Sequence, residues 1–298
     1  MDVKENIQLQ SINGPKIKKA TEQIHKAVQW IARVGNAYGD VKGKYRRINM
    51  DWNYREKYFY GYPFADHMLR LAFQPSNFTW QLLKDDFTVI DTFYGWNRTD
   101  EDVWEWLRIN LAKRAVNTDL LHYGVPYDLP YEFDMGKKAV YSQIDDVTLS
   151  AFLKLRTIGM FMIQSALLFS GFREWEDNIR TCPIHFDTGC SIPVKPGKKK
   201  GASQTVSLGL AIPDQVVNQY HLYVSSGINN SVLNHNELPD LPAGGYWVSQ
   251  EGWNGAVLPM NKLMEQHAIL PDKGILFMIA AIETFVDLKP QNTYNQVK

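Results

Sequence analysis

The chain's reactive side-chain types are densest in one short segment, Cys182-Pro183-Ile184-His185-Phe186-Asp187-Thr188-Gly189-Cys190. Both cysteines of the protein lie there, with one histidine and one carboxylate between them. Thiolate, imidazole and carboxylate together suit Zn²⁺. The spacing does not suit it. Read as a strand, the segment puts His185 and Asp187 on one face and the cysteines on the opposite parity, at opposite ends. A single strand does not wrap four ligands around an ion, so no metal site is expected. One remaining reading is a structural strand with small buried thiols. The other is a functional His–Asp face. In a strand at Tyr220–Val224, His221 and Tyr223 project opposite to Tyr220, Leu222 and Val224, and could join that face. His185, Asp187 and His221 would then be the catalytic groups of a hydrolase-like enzyme, working as acids and bases near neutral pH. A solvated sheet face, with Asp187 fixing a turn, accounts for the same residues without chemistry.

A second candidate is Ser249-Gln250-Glu251-Gly252-Trp253-Asn254-Gly255. Trp253 is available there for stacking and Glu251 for hydrogen bonding, and with Tyr223 they form the ligand-binding candidates. The same composition describes a tight hairpin anchored by its tryptophan. Trp52, Tyr54, Tyr58 and Tyr60 are interleaved with Arg55 and Lys57, a pattern that single-stranded nucleic acid can use. The charge balance opposes that use. The 32 Lys+Arg are matched by 32 Asp+Glu, whereas a dedicated nucleic-acid binder needs a basic surplus. No nucleic-acid partner is expected. The only dense basic run, Lys195 to Gly201, reads as a solvated hairpin tip, and Ser225 to Pro242, with His235, as a long polar loop. Dinucleotide, Walker, zincin, Cys-x-x-Cys and serine-hydrolase elbow motifs are absent, so no cofactor is expected.

These residues need elements to hold them. Ile17, Ala20, Ile24, Ala27, Ile31, Val34 and Tyr38 recur every three or four positions and predict an amphipathic helix, with His25, Gln29 and Arg33 off its apolar stripe and Gly39 and Gly43 ending it. Ile48, Met50 and Trp52 then alternate with polar neighbours. Tyr58–Tyr60, Leu69–Phe73, Phe78–Leu82 and Thr88–Phe93 follow as an antiparallel meander punctuated by turn residues. Thr99-Asp100-Glu101-Asp102 opens a helix with a capping-box pattern, burying Val103, Trp106, Leu107 and Leu111. Residues 117–146 form an aromatic-rich connector. Val147 to Ser170 predicts a helix apolar nearly all round, followed by strands at Ile184–Thr188, Val206–Leu210, Tyr220–Val224 and Tyr246–Ser249. Helices near Pro259–Gln266 and Asp272–Asp287 close the chain.

Helix, meander, helix thus occurs twice. The expected fold is α+β, two antiparallel β-meanders with packed helices, compatible with a pseudo-two-fold duplication. The expected organisation is a flexible arm at 1–15 and one compact unit at 16–298, with halves 16–120 and 145–288.

Several short stretches carry a resemblance: Ile24-His25-Lys26-Ala27, Tyr127-Asp128-Leu129-Pro130, Pro183-Ile184-His185-Phe186-Asp187, Gly255-Ala256-Val257-Leu258-Pro259 and the last amphipathic helix. On these the chain resembles a family of uncharacterised bacterial proteins of about this length, a domain of unknown function. The resemblance implies one contiguous unit and brings no activity, cofactor or catalytic residue.

Composition narrows the classes. Aromatic residues make up 13% of the chain, a load that suits strands packed under helices and equally a stacking platform for flat ligands. Two cysteines do not make a disulfide framework. The polar first ten residues carry no signal-peptide pattern, and the stretch Ile158–Phe172 is short for a membrane span. A soluble, cytoplasmic protein without a membrane partner is expected. The favoured function is small-molecule or partner binding in an aromatic-lined cleft, with the His/Asp hydrolase as the alternative.

Overall fold

The computed structural model describes residues 14–39, 46–64, 68–129, 139–195, 204–226, 238–250, 253–265 and 268–287. The fold is α+β, with antiparallel sheets of five and six strands. The chain divides into two compact units, residues 1–157 with 180–188, and residues 158–179 with 189–298. Of the expected arm only Gly14 and Pro15 are described, and Gly43, positions 130–138 of the connector, 196–201 of the basic tip, 227–237 of the polar loop with His235, and Glu251 lie outside the described residues.

The first unit opens with α1 (Pro15–Tyr38), whose proline occupies a first-turn position where its missing N–H costs nothing. Its apolar stripe is buried, and so are His25, Lys26 and Gln29, which the amphipathic reading placed off the stripe. The helix is enclosed on several sides, and its polar side chains turn their hydrogen bonds inward. At Gly35 an added Cβ would lie 2.2 Å from the Arg47 carbonyl oxygen, so only glycine lets the single turn at Arg46–Ile48 run against the helix.

Strands β1 (Asp51–Asn53), β2 (Tyr58–Tyr60), β3 (Leu69–Gln74), β4 (Thr79–Lys84) and β5 (Val89–Tyr94) form a simple meander in sequence order. The register aligns Trp52 with Phe59, Phe59 with Phe73, Phe73 with Trp80 and Trp80 with Phe93. One row of aromatic side chains therefore crosses all five strands, with successive ring centroids of 4.6 Å for Trp52–Phe59 and 5.0 Å for Phe73–Trp80. Cross-strand aromatic pairs of this kind stabilise a sheet beyond their buried area.

Helix α2 (Asp100–Ala112) starts at the expected capping box: Thr99 Oγ1 accepts from the Asp102 N–H at 3.2 Å, and Asp102 Oδ2 accepts from the Thr99 N–H at 2.7 Å. Trp106 ties the helix to the sheet by donating to Asp91 Oδ1 at 2.9 Å. Helix α3 (Asp146–Phe169) belongs to this unit through Thr157 and to the second from Ile158. At 24 residues it exceeds the apolar stretch read from sequence, and among the described residues it alone is long and apolar enough to cross a membrane; half of its apolar window is buried in protein. The last piece of the first unit is β6 (Arg180–Thr181) and the turn after it. Thr181 exchanges backbone hydrogen bonds with Met50 at 3.0 and 2.7 Å.

The second unit contains β7 (Thr188–Lys195, from Gly189), β8 (Gln204–Ala211), β9 (His221–Ser226), β10 (Tyr246–Gln250), β11 (Trp253–Pro259), the short pair β12 (Met264–Glu265) and β13 (Ala268–Ile269), and α4 (Pro271–Asp287). The larger sheet has the order β10-β11-β9-β8-β7-β6. It runs as a meander to β9, which then pairs with β11, leaving β10 at the edge. Strand order thus differs between the two sheets. The segment expected to be helical near Pro259–Gln266 is a single 3₁₀ turn at Met260–Leu263 followed by β12. Helix α4 buries Ile275, Phe277, Met278, Ala281, Ile282 and Phe285 against β8, β9 and β11.

Candidate functional site

The segment that opened the sequence reading is not a strand up to Thr188. Residues 183–185 form a turn: the Phe186 N–H donates to the Cys182 carbonyl at 2.8 Å and the Cys182 N–H to the Asp187 carbonyl at 2.9 Å. Phe186 adopts a positive φ of 55°, which breaks the alternation on which a shared His185–Asp187 face depends. His185 is exposed and Asp187 half-buried. Arg156 pins the turn from α3. Arg156 is 1% exposed, and its guanidinium donates to the Phe186 carbonyl at 2.6 Å and Thr188 Oγ1 at 2.8 Å and lies 4.0 Å from the centroid of the Phe186 ring. On the other side His25 stacks on Phe186 at 4.6 Å and 7°, and its Nε2 donates to the Pro183 carbonyl at 2.7 Å. Burial pushes the His25 imidazole down to about 3, so it is neutral at ordinary pH. Cys182 is a half-buried free thiol whose pKa burial raises, with Asp187 adding to the effect.

In the second unit, His221 is 2% exposed at the start of β9. Its Nδ1 is 2.9 Å from the Gln219 carbonyl, and its Nε2 is 3.7 Å from Asp214 Oδ2. Its carboxylate neighbour is therefore Asp214, which sequence spacing did not single out, while His185 and Asp187 belong to the first unit. Asp214 also accepts from the Val216 and Val217 N–H groups at 2.8 Å each, so the pair sits on a turn held by its own backbone. Tyr223 pairs with Gly209, and its hydroxyl lies 2.9 Å from where a Cβ on Gly189 would be. The two glycines make room for the phenol across the sheet. Trp253 faces Gln250 in the β10–β11 hairpin and folds its ring over Gly255, whose added Cβ would lie 2.6 Å from the indole. That is the anchored-hairpin geometry. Burial pushes the Cys190 thiol up to about 12. Among the described residues no group of three His, Cys, Asp or Glu side chains is placed to hold a metal ion.

One concavity of the first unit lies along α2. It is an open groove of about 690 Å³, lined by Glu101, Trp104, Glu105, Arg108, Ile109 and Ala112 of the helix and by Thr118 and Tyr123 beyond it. Spacing puts these helix residues together: Trp104 and Glu105 each lie three or four positions from both Glu101 and Arg108, and Arg108 lies four from Ala112, so they share one face. Trp104 and Tyr123 are half-buried, with ring centroids 5.8 Å apart at 60°. Trp30 of α1 backs both, 6.0 Å from Trp104 and 5.4 Å from Tyr123. Arg33 lies 4.3 Å over Trp30 and 5.3 Å over Tyr123, and donates through Nε to the Tyr123 carbonyl at 2.6 Å. Burial raises the Tyr123 phenol well above its usual range, and the carboxylates of Asp100 and then Glu101 push the same way, so the hydroxyl keeps its proton.

Behind the groove sits a buried ion pair. Lys26 Nζ is 3.0 Å from Asp100 Oδ2, with side chains 6% and 4% exposed. Asp100 Oδ1 accepts from Trp30 Nε1 at 2.9 Å and from the Tyr141 hydroxyl in a short bond. Asp100 occupies the first turn of α2, where the helix dipole favours a negative charge. This network fixes Trp30 and the start of α2, and through them the groove walls. Sequence reasoning named Tyr123 only as a connector aromatic and passed over Trp104. The available signal was a tryptophan outside the apolar stripe of an otherwise amphipathic helix. No protein-family model, curated protein or solved structure matches the chain, so the site rests on its own geometry.

Proposed function

We propose that this is a binding protein whose first unit takes a small organic ligand, or a single side chain of a partner, in the groove along α2. The observation that carries this reading is the pairing of Trp104 and Tyr123 as half-exposed walls of one concavity, backed by Trp30 and a buried ion pair. Rings held in place from behind offer apolar area to a ligand without an ordering penalty. The hydrolase alternative has less support. His185 lies on an exposed turn and His221 is enclosed, with a ring nitrogen turned to a backbone carbonyl. The test is a titration of a panel of small organic molecules followed by tryptophan fluorescence and thermal shift, on the wild type and on Trp104→Ala and Tyr123→Ala. Binding that disappears in both folded variants supports the reading. Binding indifferent to both, or none across the panel, overturns it.

A further inference from the structure

The groove carries charge as well as rings. Glu101 and Glu105 stand one helical turn apart on α2, both exposed and both lining the groove beside Trp104. Like charges at this spacing repel, a small destabilisation that a cation between them would relieve. The rings have the complementary property. An indole or phenol face attracts a cation through its quadrupole, most strongly where water is partly excluded. This cluster already behaves that way toward the protein's own side chains: Arg33 lies over Trp30 and Tyr123, and the exposed Arg108 lies 5.9 Å over Trp104. Arg108 belongs to the same helix face and is free to swing toward solvent, so it is the group an incoming cation would displace. Counting the charged lining residues, two carboxylates against one guanidinium leave the groove acidic.

We infer that the ligand class is a monovalent organic cation, a substituted ammonium or guanidinium group, packed against the solvent-facing sides of the adjoining Trp104 and Tyr123 rings with Glu101 and Glu105 as counter-charges. This rests on the binding reading above and specifies it. A neutral sugar-like or apolar ligand would use the rings and ignore the carboxylates, and an anion would be repelled by them.

The test uses the full-length protein and two probes of matched shape, choline and its uncharged isostere 3,3-dimethyl-1-butanol, titrated by calorimetry with acetate as the anionic control. Choline should bind at least tenfold more tightly than the isostere. Glu101→Gln/Glu105→Gln should remove about tenfold of the choline affinity, leave the isostere unchanged and keep the wild-type circular dichroism spectrum. Arg108→Gln should strengthen choline binding severalfold. Equal affinity for choline and the isostere, lost in Trp104→Ala, would overturn the cation assignment and leave the groove standing as a binding site. Choline binding that survives both Trp104→Ala and the double glutamine variant would place it elsewhere and overturn the inference. Absence of binding by either probe would do the same.

Discussion

His25 offers the most direct test of how the first unit is built. Its imidazole is enclosed between α1 and the turn at 182–188, stacked on Phe186, and burial lowers its pKa from 6.5 to about 3, with smaller contributions in the same direction from Arg156 and His185. The unfolded chain takes up a proton on this residue below about pH 6.5, and the folded chain does not until about pH 3. Over that interval the unfolded state binds more protons, so stability falls as pH falls and is flat above it. Between pH 7 and pH 5 the loss from His25 alone is about 2 kcal/mol, rising to about 4 kcal/mol by pH 3. In His25→Phe the ring stack on Phe186 is kept, and the Pro183 carbonyl still accepts from Gln29 Nε2 at 2.8 Å. The variant loses the hydrogen bond to the Pro183 carbonyl at every pH and gains back the proton-linked term in acid. The assay is urea unfolding at pH 7, 6 and 5 followed by tryptophan fluorescence, which reports chiefly on the first unit because six of the nine tryptophans (Trp30, Trp52, Trp80, Trp96, Trp104 and Trp106) lie in it. The stability difference between variant and wild type should shift by about 2 kcal/mol in the variant's favour on going from pH 7 to pH 5. A difference that stays constant across that range would refute the claim that His25 is held neutral by burial.

Two further outcomes follow from other parts of the fold. Asp100→Asn removes the carboxylate 3.0 Å from the buried Lys26 ammonium and should destabilise the first unit by about 3–5 kcal/mol in urea titrations. Lys26→Met should destabilise it less, because Asp100 keeps the Trp30 and Tyr141 donors and the start of α2; the reverse ranking would contradict the network described. Gly189→Ala should destabilise the second unit by about 1–3 kcal/mol, since the new Cβ would lie 2.3 Å from the Leu208 carbonyl oxygen, a backbone atom that cannot swing aside. Calorimetry of the variant should show a lowered Tm, and an unchanged one would mean that β7 and β8 separate more easily than their geometry implies.

Much of the architecture was legible because periodicity reports directly on which face is buried. Ile48, Met50 and Trp52 alternate in the sequence and all three are buried, although only Trp52 lies in a regular strand. The Thr99–Asp102 box was legible because capping is a local matter of four residues. What was not legible came from residues that act against type. His25, Lys26 and Gln29 look like the wet side of a helix, and only the packing of distant segments around α1 makes them interior. The segment at 184–188 has strand-like composition, yet Phe186 takes a conformation that is uncommon away from glycine, held by Arg156 and His25 from elsewhere in the chain. The position of β10 outside β11 follows from pairing partners that local patterning does not specify. For the candidate site the position was mixed. Tyr123 was visible as one aromatic among several, while the importance of Trp104 depends on Trp30 and Tyr123 reaching it from other elements.

The first unit is not continuous along the chain: after Thr157 its next residue is Arg180. A ribosome that has released α1, the five-stranded sheet and α2 has not yet supplied Phe186, so His25 and Arg156 lack the ring and the carbonyl groups that they hold in the finished protein. At about 5–20 residues per second, the wait from residue 157 to residue 188 is on the order of seconds. During that interval a nearly complete nascent domain carries an open seat beside α1, lined by the Arg156 guanidinium and aromatic surface. A gene truncated at residue 157 would make that interval permanent. Recombinant versions of the first unit should therefore carry the 180–188 peptide, joined by a short linker or supplied in trans, to yield a folded product.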